Sequence, residues 1–221
     1  MRNKIYTLSM VIVCLLLLTG YLVERQQIVY PPIRETNDVK ISASLERHYT
    51  FKEAFDEADL VVYVCVGNWL GEGEHSTYYE TKIIETYKGD RSDEIVLLQD
   101  GTSSGTYKGY PLFTYGNEML VFLKQAADVE YENAYWIMGA WTTLLDVVND
   151  ESGNMYYVDR SGMLSETIDE SLNVANDTSL KEGLYENTLK RDAIVANIFT
   201  KSKYVYEKSS IDDLILKFAN E

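Results

Sequence analysis

The chain has 221 residues, 46% hydrophobic and 12% aromatic against 25% charged, enough apolar surface to bury a core. That composition excludes global disorder, and the length excludes a large multidomain assembly. Its 20 Lys+Arg against 35 Asp+Glu leave a net charge of -15, which repels phosphate backbones, so nucleic acid is not an expected partner.

Arg2 and Lys4 precede an uncharged apolar run from Ile5 to Val23 that contains Leu15-Leu16-Leu17-Leu18 and stops at Glu24-Arg25. The run is long enough to span a bilayer, and the leading positive charge directs everything after it outward. No pair of small residues near Thr19-Gly20-Tyr21-Leu22 matches a cleavage site, so residues 1–25 read as a signal anchor, with a cleaved signal peptide as the alternative. The expected location is the cell membrane, single-pass with the domain outside, or secretion if the segment is cleaved. Cys14 follows Val13 rather than a small residue and sits inside the apolar run, so it reads as a membrane-helix side chain and not a lipidation site. Residues 26–48, with Tyr30-Pro31-Pro32, read as a spacer.

Thr50-Phe51-Lys52-Glu53 is a capping box that opens a short helix through Ala58. Asp59 to Trp69 is an apolar β-branched strand in which Cys65 packs as a small hydrophobe. Gly71-Glu72-Gly73 turns the chain into a strand from Thr77 to Tyr87, which stops at Lys88-Gly89-Asp90. Glu94 to Gln99 is a third strand, and Gly101 to Gly109 reads as a mobile surface loop. Met119 to Lys124, Ala134 to Met138, Thr142 to Val148 and Met155 to Val158 complete a meander of short strands at roughly ten-residue spacing, which predicts a small barrel or sandwich. Beyond Ser161 the pattern is helical, with helices from Leu180 to Phe199 and after a Ser209-Ser210 cap. The fold class is therefore mainly β with added helices (α+β). It is read as a small antiparallel β-barrel over 49–160, preceded by a membrane helix and followed by a helical extension over 161–221 that packs on the barrel.

Phe51 to Val66, Tyr79 to Asp90 with its Lys88-Gly89-Asp90 ending, Glu94 to Leu97, and Tyr115-Gly116-Asn117-Glu118 running into Met119 to Leu123 form an ordered set of motifs. The set resembles bacterial surface proteins with an OB-like barrel of the netrin and tissue-inhibitor-of-metalloproteinase type, over residues 50 to 160. The resemblance implies a small barrel displayed outside the membrane and no particular activity. Inhibitors of that type use an N-terminal cysteine amine and disulfides, whereas this chain has only Cys65 after its apolar segment, so the inhibitory chemistry does not carry over.

Two cysteines and two histidines are too few for a Cys/His zinc site or a disulfide framework, and no cofactor is called for. His48 and His75 lack metal-ligand spacing and read as solvated loop residues. Ser103 and Ser104 lack a nucleophile-elbow context, and Gly101, Gly105 and Gly109 do not form a phosphate loop. The acidic turn Asn149 to Asn154 is a hairpin turn, with a weak cation site as the alternative. Tyrosine is in excess at 18 residues, which suits either recognition or plain β-propensity. Tyr107, Tyr110, Tyr115 and Trp141 are the candidate ligand-binding residues, because the 101–117 loop carries no evident structural demand. No catalytic residue is assigned. The expected function is a non-catalytic extracytoplasmic binding or interaction module, its partner a cell-envelope protein or glycan. The alternatives are a glycan-acting hydrolase using Asp100 and Glu118 as a carboxylate pair, or a protease-inhibitor-like module.

Overall fold

The computed structural model describes Val29 and residues 48–106, 110–167, 172–193, 195–196, 202 and 204–220. The expected anchor over 1–25 lies outside the described residues, as does the spacer over 26–48 apart from Val29 and His48. Among the described residues no helix is long and apolar enough to cross a membrane.

Helix α1 (Phe51–Glu57) is set by its capping box: Thr50 N donates to Glu53 Oε2 at 2.9 Å, and Glu53 N donates to Thr50 Oγ1 at 3.3 Å. The strands that follow are β1 (Leu60–Glu72), β2 (Ser76–Lys88), β3 (Glu94–Asp100), β4 (Glu118–Gln125), β5 (Ala134–Ile137), β6 (Leu144–Asn149) and β7 (Met155–Asp159). Helix α2 (Thr178–Arg191), strand β8 (Tyr204–Glu207) and helix α3 (Lys208–Ala219) complete the order.

β1 pairs antiparallel with both β2 and β4, β2 with β3, β3 parallel with β5, and β5 antiparallel with β4. The ring β1-β2-β3-β5-β4 thus returns to β1 and closes a five-strand barrel, compatible with an OB-like fold, in a mainly β, α+β chain. Two expectations are corrected by this ring. It is not a simple meander, because β5 inserts between β3 and β4, and it is not wholly antiparallel, because the crossover from β3 to β4 leaves β3 and β5 running the same way. Register shifts along the β1–β2 pair bend these two long strands around the barrel.

Alternation along the strands sends Val62, Val64 and Val66 of β1, Leu97 of β3 and Met119, Val121 and Leu123 of β4 into the barrel interior. Val61, Leu120 and Phe122 point outward against α1 and α3. There Phe51 meets Phe122 edge-on at 5.2 Å, and burying Phe51 and Phe55 contributes about 1.5–3 kcal/mol each. The Lys88-Gly89-Asp90 stop has a structural cause. Lys88 Nζ donates to the carbonyls of Phe55 (2.6 Å) and Asp56 (2.8 Å), capping the end of α1. Gly89 has φ +93, and a Cβ there would lie 2.5 Å from the Asp59 carbonyl oxygen.

One edge of β4 is shared: β5 takes Leu123 to Gln125 and β6 takes Met119 to Val121. From β6 the sheet continues through β7 to β8, so a three-strand extension branches from the barrel wall. Strand β8 was not expected, since residues 161–221 read as helical throughout. Four residues carry too little period to be seen, and β8 forms because it satisfies the outer edge of β7. The strand expected from Thr142 begins at Leu144 instead. Gly139 and Ala140 turn through positive φ into a 3-10 segment, Ala140–Thr143, in which the Thr142 hydroxyl donates to the Gly139 carbonyl. The helix expected from Leu180 to Phe199 runs Thr178–Arg191, opened by the Asp177 side chain on Leu180 N and ended by extended backbone at Asp192. Helix α3 starts at Lys208 with Glu207 at the N-cap position and no side-chain cap, so Ser209-Ser210 lie inside it.

Candidate functional site

The segment between β3 and β4, expected to be mobile and unconstrained, is tied down at several points. Gln99 is fully buried; its Nε2 donates to the Pro111 carbonyl at 2.7 Å and its Oε1 accepts from Phe113 N at 2.9 Å. The Glu72 carboxylate accepts Ser103 N at 2.6 Å and Ser103 Oγ at 3.0 Å. Tyr110 and Phe113 then enter the barrel, with ring contacts Tyr110–Phe113 at 5.9 Å and Tyr79–Phe113 at 5.8 Å. Tyr110 and Phe113 therefore plug the barrel, and the backbone at Ser103, Pro111 and Phe113 is held by the Glu72 and Gln99 side chains.

This decides where the four candidate residues stand. Tyr110 is 0% exposed, its hydroxyl has no partner among the described residues, and burial pushes its pKa well above the usual phenol range. It belongs to the core, packed against Phe113 and Trp141. Trp141 is half-buried and stacks toward Tyr110 at 5.9 Å, so it covers the same plug. Tyr107 lies outside the described residues. Tyr115 is 46% exposed at the tip of the turn before β4, where Thr114 N donates to Asn117 Oδ1 at 2.8 Å.

Tyr115 overlooks a cavity of about 510 Å³ between this turn, β6 and the C-terminal end of α2. Asp192, just past α2, joins the walls. Its Oδ2 accepts Thr114 Oγ1 at 2.9 Å and Asn117 Nδ2 at 2.6 Å, while Oδ1 accepts Val195 N at 3.1 Å. Asn187 Nδ2 donates to the Asn149 carbonyl at 2.8 Å and so pins α2 to the β6–β7 turn. Thr188 lines the cavity, is 7% exposed, and its hydroxyl has no hydrogen-bond partner among the described residues. Near the same seam, Arg160 makes a bidentate pair with Asp146, both almost fully buried. Burial works against the guanidinium's charge, but Asp146 beside it more than offsets this, and the pKa stays above the ordinary arginine value. Tyr110 on the barrel side and Asp192 on the α2 side act on it in the same direction.

Asp100 and Glu118 sit on strands separated by β5 in the ring. Glu118 accepts the Tyr63 hydroxyl at 2.5 Å, and burial raises the Asp100 carboxyl above its usual range. Ser103 is engaged by Glu72, as above, and the Thr102 and Ser104 hydroxyls share a hydrogen bond of 2.8 Å. His75 is exposed beside Glu74, and among the described residues no group of three or more His, Cys, Asp or Glu could hold a metal ion. In the acidic turn, Asp150 accepts Ser152 N, Asn154 N and Asn154 Nδ2, so its oxygens close their own hairpin.

Among the described candidates Tyr115 lines this cavity, whereas Asn117, Asn187, Thr188 and Asp192, which share its wall, are not singled out by the sequence. The single available signal was Thr188, a polar residue one turn after Leu184 on the inward face of α2. No protein-family model and no curated protein matches this chain.

Proposed function

We propose that the chain is a non-catalytic binding module, held at the membrane by its N-terminal segment with the barrel outside, and that its site is the cavity between the Thr114–Asn117 turn and α2. The observation that carries this reading is the cavity's polar wall, in which Asp192, Asn117 and Asn187 are fixed by hydrogen bonds beside the exposed Tyr115 ring. A preorganised polar wall next to an exposed aromatic ring is suited to a ligand that pairs with fixed donors and acceptors. The Lys88-Gly89-Asp90 and Glu118-to-Leu123 motifs support placing the barrel with surface proteins of the netrin and metalloproteinase-inhibitor type. The partner is a protein or glycan of the cell envelope.

The test is retention of envelope components by the immobilised full chain, compared with a Tyr115→Ala, Thr188→Val double variant. Specific retention that the variant loses supports both the module and its site. Retention unchanged in the variant removes the site, and absence of any retained component removes the module.

A further inference from the structure

Resting on the membrane attachment proposed above, we infer that the barrel hangs from the bilayer by Val29, on a tether of six residues, so that the far end of β1 lies against the lipid surface and the α1 end faces away from it. The edge of β1 opposite β2 changes partner along its length. From Leu60 to Cys65 it pairs with β4, and Val66 then donates to the Asn117 carbonyl and accepts from Gly116 N, each at 2.8 Å. Beyond Val66 the edge is taken by Val29. Trp69 N donates to the Val29 carbonyl at 3.1 Å, and Val29 N donates to Asn68 Oδ1 at 3.3 Å. The Asn68 amide is itself fixed, its Nδ2 donating to Glu80 Oε2 on β2 at 2.9 Å. A strand edge left by its neighbour carries backbone groups that need partners, and a passing extended residue satisfies them.

This contact decides which end of the barrel faces the membrane. Val29 follows the end of the apolar run at Val23 by six residues, and six extended residues span at most about 20 Å. A spacer free as far as His48 would be about 25 residues long, reach about 80–90 Å, and lead into α1 at Thr50. Helix α1 belongs to the other end of the β1–β2 pair: Lys88, whose ammonium caps it, pairs with Val61 at the start of β1. Trp69 pairs with Tyr79, toward the turn that joins the two strands. Attachment at Val29 and attachment at Thr50 thus orient the barrel in opposite senses. The Val29 end also presents apolar surface, since Val29 is 43% exposed and Leu70, next to Trp69, is 40% exposed. A lipid interface within reach of the tether buries such side chains.

The experiment reconstitutes the full chain, in a Cys14→Ala, Cys65→Ala background, into phosphatidylcholine vesicles that contain a headgroup-spin-labelled phosphatidylcholine. It reads the quenching of a fluorophore attached through Leu70→Cys or through Asp90→Cys, an exposed position at the α1 end. Quenching of the Leu70 label should exceed that of the Asp90 label at least about threefold, since up to roughly 30 Å of strand separates the two ends. A flexible Gly/Ser insert of about 20 residues between Arg25 and Gln26 lengthens the tether and should abolish the difference. The same insert between Ile41 and Ser42, beyond Val29, should leave the difference unchanged. Equal quenching of the two labels, a difference that survives the first insert, or one that the second insert also removes each overturns the inference. Membrane attachment is read separately, by flotation of the chain with the vesicles. A chain that floats but shows equal quenching keeps its attachment and loses the Val29 tether; a chain that does not float loses both.

Discussion

The two faces of the β6–β8 extension are built from the same three strands and end up differently. Leu145, Tyr157 and Tyr206 turn to one side and join Phe122, Ile211 and Ile215 beneath α1 and α3. The apolar centre of that side is fully covered, and a second cavity of about 460 Å³ lies at its edge beside Lys208 and Asp212. The Lys208 ammonium lies 5.1 Å from the Tyr63 ring and donates to Tyr87 Oη at 3.1 Å, to Glu85 at 3.0 Å and to Asp212, fastening the start of α3 to the barrel. Val148, Tyr156, Val158 and Val205 turn to the other side and meet α2 through Leu184. One turn further along α2 the inward position is Thr188 rather than another hydrophobe, and there the seam opens into the cavity. Strand alternation supplies apolar residues to both faces; the covering helix determines whether the face closes.

The largest expected effect tests whether the α2 side is structurally weak or only locally open. Asp146→Ala leaves Arg160 as a buried unpaired charge and should cost about 3–5 kcal/mol in urea unfolding. A loss below about 1 kcal/mol would mean that the seam already admits water to Arg160. Next, Ile215→Ala in the fully buried centre of the α3 face should cost about 2–5 kcal/mol, and Leu184→Ala less, because its neighbours border the α2 cavity and can close over the gap. Equal losses would erase the contrast between the faces. Lys208→Met should cost about 1.5–3 kcal/mol through its hydrogen bond to Asp212, although Tyr87 (2.8 Å) and Tyr157 (3.2 Å) still donate to that carboxylate. Thr188→Val should stay within about 0.5 kcal/mol of wild type or stabilise, since its hydroxyl has no partner among the described residues.

The smallest effect is a pair of titrations of opposite sign, read by carboxyl-carbon NMR. Burial pushes Asp159 above its usual 3.8 despite the amide donors of Leu164, Gly162 and Ser161. The folded state therefore keeps its proton to higher pH than the unfolded chain, and stability is gained as pH falls from the folded pKa toward 3.8. Asp150, at the β6–β7 turn, is held below 3.8 by the Asn154 side chain first and by backbone amides of its own turn. Its contribution is present above 3.8 and is lost as pH falls through the lower folded value. Midpoints on the same side of 3.8 would show that the buried and exposed ends of the extension do not differ in this way.

The elements that were legible are those whose signals are local. The capping box at Thr50 and Glu53 is satisfied within one turn, and β1 to β4 follow from alternation bounded by turn residues such as Gly89 and Gly116. Lys88-Gly89-Asp90, legible as a strand stop and as part of the motif set, marks a position with a task at the end of α1. Tyr110 was misjudged because a glycine- and serine-rich loop reads as solvent-exposed, whereas Gln99, itself buried, draws that loop into the barrel.

The amino-acid sequence by itself determined a mainly β chain with a short capped helix, its first seven strands and its acidic surface, because periodicity, capping and charge act between neighbours in the chain. Only the tertiary structure decided the parallel β3–β5 closure, the pairing of β8 on β7 and the cavity wall. Thr114 and Asp192 stand 78 residues apart and meet at 2.9 Å, and no local pattern encodes that distance. It is set when the barrel, its branch and α2 pack together, where burying apolar surface selects among the arrangements that local preferences leave open.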